Sequence, residues 1–202
     1  MKFAKSDASV FIPDGMPTEE AFRRVTHLGI GAHQDDCEIM AFHGIQKCFT
    51  SQELWFGAVT ATNGAGSPRA GEYAAMSDAD MAGLRRREQE KAAVLGNYGA
   101  LVQLNYTSAE VKDTAKSPLK ADLVKILKLA RPEVVYTHNP ADKHDTHLAV
   151  AFTVIAALRE LAPDERPTTF YGCEVWRGLD WMDDEDKVPL DVGRRENLSM
   201  GL

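Results

Sequence analysis

Five short apolar runs, alternating with longer stretches of helical spacing, constrain this chain more than any other feature. The runs are 27–33 (HLGIGAH), 54–62 (LWFGAVTAT), 101–106 (LVQLNY), 134–138 (VVYTH) and 168–175 (TTFYGCEV). At least two are β-rich and bounded by turn residues, as strands buried on both faces tend to be. Between them, Ser117-Pro118 reads as an N-cap followed by Pro at the first helical position. Leu119, Leu123, Ile126 and Leu127 then repeat at i, i+4, i+7 and i+8, until Arg131-Pro132 ends the run. Residues 148–161 read as another helix, stopped by Pro163. This alternation predicts an α/β fold, a parallel sheet with helices on both faces.

A length of 202 residues fits a single domain. The core is expected at about 25–175. Residues 176–202, with the run Asp183-Asp184-Glu185-Asp186, read as a poorly ordered acidic extension. Thirty acidic against 23 basic side chains give a net charge of -7, which argues against a nucleic-acid surface. Three cysteines without CxxC spacing argue against a disulfide framework or a cysteine zinc cluster. The opening MKFAKSDASVFIPDG has no apolar core of a secretory signal, and no run approaches the ~18 apolar residues of a membrane span. The expected setting is reducing and cytoplasmic, with no membrane span; a homo-oligomer is compatible with all of this.

The chemistry-bearing residues fall in two clusters. His33 ends the first strong run and is followed at once by Asp35, Asp36 and Glu38; His138 ends the fourth run, and His144 and His147 follow within ten residues of it. Sites in open α/β sheets form just beyond the carboxyl ends of the strands, so the clusters are expected to meet at one edge. Together His33, Asp36 and His147 can supply two imidazoles and a carboxylate to a divalent cation, leaving a position for water. Asp35 can accept a proton from that water. His144 can stand opposite as an imidazolium that stabilises an oxyanion or donates to a leaving group. These parts amount to a metal-dependent hydrolase of amides or esters. The bland alternative is that the acidic trio merely caps a helix, with His27 and His43 ordinary core or surface histidines. A dinucleotide fingerprint fails because its third glycine would fall at Gln34, and Gly64-Ala65-Gly66 lacks the Gly-Lys-Ser/Thr of a P-loop.

Ala32-His33-Gln34-Asp35-Asp36-Cys37-Glu38 resembles the AHPDDxE signature of the LmbE-like, or PIG-L, N-acetylglucosaminyl deacetylases. Asp142-Lys143-His144-Asp145-Thr146-His147 resembles their later D-x-H-P-D-H segment. Thr62-Asn63-Gly64 is similar to the family's T-x-G turn, and Arg85, Glu88, Ala92 and Leu95-Gly96 fit its R-x-x-E-x-x-x-A-x-x-L-G helix. The resemblance implies a Rossmann-like α/β fold, with His33, Asp36 and His147 on the metal, Asp35 as general base and His144 as the charged partner of the oxyanion. It also implies hydrolysis of the N-acyl group of an amino-sugar conjugate, a small-molecule partner, with Zn²⁺ as cofactor and Fe²⁺ or Mn²⁺ compatible with the same ligands. Gln34 stands where the signature has proline, and Asp145-Thr146 where the later segment has Pro-Asp.

Candidate substrate contacts are Asn63, Arg69, Arg85 and Asp142. Residues 63–80 are long and unpatterned, as lids are, with Arg69 as an anion reader. Arg85 and Glu88 read equally well as a structural ion pair, and Asp142 or Asp145 can orient His144. Two other functions use the same residues. A metal- or sugar-binding protein would keep the site without turnover. A non-haem iron oxygenase also binds metal through two histidines and a carboxylate, but usually on an all-β barrel.

Overall fold

The apolar runs do become strands, and their order places the site. The computed structural model describes residues 1–202. In chain order the elements are β1 (Ser9–Phe11), α1 (Thr18–Arg23), β2 (His27–Gly31), α2 (Asp36–Met40), α3 (Phe42–Cys48), β3 (Phe56–Thr62) and α4 (Asp78–Leu95). There follow β4 (Ala100–Tyr106), α5 (Ser108–Lys112), α6 (Leu119–Ala130), β5 (Val134–His138), α7 (Asp145–Arg159), β6 (Thr169–Cys173) and α8 (Glu196–Gly201).

The six strands form one sheet in the order β1-β4-β3-β2-β5-β6. Five are parallel, with His27 opposite both Phe56 and Val134; only β1 runs antiparallel, on β4 at the edge. The chain leaves β2 toward β3 on one side and returns to β5 on the other, so the loops after β2 and β5 part at a topological switch point. β2 and β3 are buried along their whole length, which explains their near-continuous apolar sequence. Alternate residues feed two cores. Leu28, Ile30, Val59 and Val102 pack with α1, α6 and α7; Phe56, Ala58 and Leu101 pack with α2, α3 and Tyr98. On α6, Leu119, Leu123, Ile126 and Leu127 are all fully buried, each contributing about 1.5–3 kcal/mol of apolar burial.

Three features depart from expectation. β1 is a sixth strand of three residues, too short to show a period. α7 begins at Asp145, not Leu148, because His144 caps it. The acidic extension folds back along α3: Gln46 Nε2 donates to the Asp191 carbonyl at 3.0 Å, Arg195 to Thr50 Oγ1 at 2.9 Å, and Leu198 is buried. No helix is long and apolar enough to cross a membrane.

His27 lies at the end of β2 remote from the site, buried, with Nδ1 paired to Thr26 Oγ1 at 2.9 Å and Nε2 without a partner. Burial, then the charges of Lys47 and His43, push its pKa down to about 4. The unfolded chain therefore takes up a proton between pH 6.5 and about 4 that the folded chain refuses. Stability held above pH 6.5 is lost as pH falls through that window. After solvent screening the loss is about 1–2 kcal/mol. His27→Gln is expected to flatten this limb of a urea-midpoint-against-pH curve; an unchanged slope would remove His27 as its source.

Candidate active site

The turn after β2 is built so that a carboxylate can point back at the strand end. Gly31 leaves room for it, since a Cβ there would lie 2.8 Å from Cβ of Asp36. Asp35 then takes φ +83, and α2 starts with Asp36 in its first turn. The Asp36 side chain is buried, and its Oδ2 accepts the His33 backbone N–H at 2.6 Å. Gln34, in the signature's proline position, is buried and ties the turn to β3 by donating from Nε2 to the Thr62 carbonyl at 3.1 Å.

The second cluster arrives on the neighbouring strand. His144 caps α7, its Nδ1 accepting the Thr146 N–H at 3.3 Å. His147 follows in the first helical turn and is fully buried. Asp142 lies beneath both. Its Oδ2 accepts from His147 Nδ1 at 2.9 Å, and its Oδ1 accepts the His144 N–H at 2.8 Å. The carboxylate thus fixes the His147 tautomer, leaving Nε2 as a bare lone pair aimed at β2.

Three expected ligand residues converge, Asp36 turning one oxygen to each histidine. His33 Nδ1 lies 3.2 Å from His147 Nε2 and 3.5 Å from Asp36 Oδ2, and His147 Nε2 lies 3.6 Å from Asp36 Oδ1. Neighbouring ligands on a tetrahedral ion with bonds of about 2.0–2.1 Å sit roughly 3.3–3.4 Å apart. Two imidazoles and a buried carboxylate at these spacings fit a divalent cation in both geometry and donor chemistry. His144 stands edge-on to His33, ring centroids 5.1 Å apart. Asp35 flanks the cluster, its Oδ2 accepting from Arg85 Nη2 at 2.7 Å.

Charge is distributed accordingly. Burial opposes ionisation of Asp36, but hydrogen bonds from His138 and His33 outweigh it and hold the carboxyl well below its ordinary range. Burial first, then His138 beside it, pushes His147 down to about 4. Burial and the His33 charge lower His144. With Nδ1 accepting the Thr146 backbone N–H, where an imidazolium oriented by a carboxylate was expected, a neutral ring at this position carries its proton on Nε2. Asp35 has more than half its side chain open, yet desolvation within the turn exceeds the pull of Arg85 and its carboxyl sits above its usual value.

The expected substrate contacts fare differently. Arg85 reaches Asp35, Glu88 at 2.6 Å and the Gln34 carbonyl at 2.7 Å, so it is both an ion-pair partner and a neighbour of the site. Asp142, expected as a substrate contact, has a fully buried side chain whose two oxygens bond to His147 Nδ1 and the His144 N–H. Arg69 is committed too: its guanidinium donates to the carbonyls of Ala65, Ser67 and Met76 and pairs with Asp78, bracing the loop from within. Asn63 closes a turn by accepting the Ala65 N–H at 3.0 Å.

Two residues carry no role in the sequence reading: spacing alone places His138 in the second cluster, and nothing singles out Trp176. His138 is fully buried, stacks on His147 at 3.9 Å and places Nε2 3.1 Å from Asp36 Oδ2, so Asp36, His138 and His147 form a second, wholly buried trio. Its position at the end of an apolar strand was the available signal. Trp176, half-exposed just beyond β6, lies nearly parallel to His147 at 5.9 Å and His144 at 6.4 Å, with Lys143 Nζ 5.1 Å from its ring centre.

The sequence pattern of the GlcNAc-PI de-N-acetylase family, PIG-L, matches residues 28–158. No curated protein gives a significant match. Among solved structures, N,N'-diacetylchitobiose deacetylase from Pyrococcus horikoshii is 26% identical, with TM-score 0.54, over 71% of this chain and 53% of its own. The conserved protein TT1542 from Thermus thermophilus is 19% identical, TM-score 0.54, over 74% and 66%. A 4-carboxy-2-hydroxymuconate hydratase from Pseudomonas putida is 18% identical, TM-score 0.52, over 67% and 56%. The last two likenesses are of fold alone, and the hydratase illustrates that the fold does not dictate the chemistry. The chain spans about half to two thirds of the length of these structures.

Proposed function

Since the chain belongs to the PIG-L (LmbE-like) family of GlcNAc-PI de-N-acetylases, we propose that it is a metal-dependent hydrolase removing an acetyl or other acyl group from an N-acylated amino sugar. The observation that carries this reading is the meeting of His33 Nδ1, Asp36 and His147 Nε2 within 3.2–3.6 Å, with the His147 lone pair fixed by Asp142. These three residues would hold the cation. When bound, Zn²⁺, or Fe²⁺ or Mn²⁺ on the same donors, supplies Lewis acidity to the amide carbonyl and acidifies water.

The chain's own groups do the rest. Asp35 accepts the proton of the attacking water, and Arg85 holds one of its oxygens while the other stays available. His144 gives a hydrogen bond from Nε2–H to the oxygen that gains charge, and the proton that Asp35 took from the water passes to the departing amine. Trp176 gives the mouth an apolar wall against which a sugar ring can lie. Residues 1–202 act as one catalytic unit in this reading, and three free cysteines suit a reducing, cytoplasmic setting. The diacetylchitobiose deacetylase supports an N-acetylated sugar as substrate.

A second reading draws on the Arg85–Asp35 pair at 2.7 Å, which engages one oxygen of the proton acceptor and lowers its basicity: a protein that binds metal and sugar without turnover. Metal analysis together with acetate release from a panel of N-acetyl sugars separates the two. Metal with acetate release supports the hydrolase, metal without release the binding protein, and neither would overturn both.

A further inference from the structure

Asp35 sits in a left-handed conformation that L residues rarely adopt, and its side chain makes no capping bond to α2. One group holds its backbone N–H. Gln89, on α4 and only 2% exposed, accepts it on Oε1 at 3.1 Å. The other end of the same amide, Nε2, donates to Glu38 Oε1 at 2.7 Å. Tyr98, also buried, donates its hydroxyl to that oxygen at 2.6 Å. A carboxylate only accepts, so Glu38 obliges the Gln89 amide to turn its NH₂ inward and its oxygen toward Asp35. Tyr98 in turn stacks edge-on against Phe56 at 4.9 Å, so the chain of bonds is anchored in the core between the sheet and α4.

We propose that Gln89 is a positioning residue: oriented by Glu38 and Tyr98, it locks the left-handed turn that aims the Asp35 carboxylate at the metal cluster. This rests on Asp35 being the proton acceptor, as proposed above. Arg85 touches the same carboxylate from outside, but it grips the side chain and the Gln34 carbonyl, and leaves the Asp35 N–H to Gln89 alone. Glutamine suits the task because it must accept from one partner and donate to the other. Leucine would do neither, and glutamate would face Glu38 with a second carboxylate.

The test uses the full chain loaded with Zn²⁺ and an N-acetyl sugar that it deacetylates. Gln89→Leu is expected to lower kcat roughly 10- to 100-fold, the scale of a misplacement near 1 Å. KM should move by no more than about twofold, with metal content unchanged. Amide hydrogen exchange at Asp35, which does not depend on activity, should speed up in this variant. The paired exchange Gln89→Glu with Glu38→Gln restores the donor–acceptor match between these two side chains, with the Tyr98 hydroxyl oxygen accepting the second amide proton, and should recover most of kcat and the slow exchange even where Gln89→Leu folds poorly. Made in an Asp35→Asn background, Gln89→Leu should cost no more than about twofold further, because both changes act through one group.

A Gln89→Leu protein with full kcat, or one that loses a further tenfold on top of Asp35→Asn, overturns the positioning role while leaving Asp35 in place. Failure of the paired exchange to recover either readout also overturns it. Full turnover in Asp35→Asn alone instead removes the proton acceptor, and the role of Gln89 with it.

Discussion

Replacing Asp35 with asparagine is expected to leave metal content unchanged and to lower kcat by roughly 10²- to 10⁴-fold, the usual worth of a general base. The substitution is close to isosteric, and its amide oxygen can still accept from Arg85 Nη2, which now lies 2.7 Å from Oδ2. The Arg85–Glu88 pair, the left-handed turn and the Gln89 bond to the Asp35 N–H do not depend on the side-chain charge. The carboxylate that joins the His33 and His147 nitrogens belongs to Asp36. What asparagine removes is therefore the ability to take a proton. A fall below about tenfold would assign that task to another group. Loss of metal would show Asp35 to be a ligand and would exchange the roles of the two aspartates.

Much of this site was legible because its parts sit at strand ends. His33 and His147 are 114 residues apart in sequence, yet each follows an apolar run, and adjacent parallel strands bring such ends together. The alternation of runs gave five strands to within about two residues at each end, a margin normal for helix and strand ends. What could not be read depends on direction and not on pattern. Asp142 looked like a substrate contact because it is a carboxylate beside histidines; only its burial and its 2.9 Å bond reveal that it faces inward. Arg69 is long enough to serve an anion or its own loop, and in the structure it donates to three nearby loop carbonyls. Gln89 lies in the charged run RRREQEK, where no apolar period marks it as the one polar residue that turns to the core. Trp176 belongs to a stretch without period, and its place over the histidines is fixed by β6 pairing with β5.

His147→Ala is expected to abolish tight metal binding, and turnover with it. Besides the proposed set of His33, Asp36 and His147, two overlapping trios could hold an ion, His33 with His144 and His147, and Asp36 with His138 and His147, and His147 is common to all three. Its ring is fully buried in the first turn of α7, stacked on the His138 ring at 3.9 Å. Deleting it leaves His33 and Asp36 with one ligand too few for a closed set of three. Asp142→Ala makes a graded companion. It frees the His147 Nδ1 proton, so the ring is no longer held with its Nε2 lone pair toward His33, and affinity should fall roughly 10- to 100-fold without vanishing. Two further variants decide which trio is used. Asp36→Asn should lose metal as severely as His147→Ala, whereas His144→Ala should keep the metal and lose turnover, because its Nδ1 is spent on the α7 cap and its Nε2 acts as a donor. Metal titration by calorimetry on the four proteins reads the order directly. Full occupancy in His147→Ala would refute the ligand assignment, while loss of metal in His144→Ala would move the ion outward to the three histidines and leave Asp36 as their buried counter-charge.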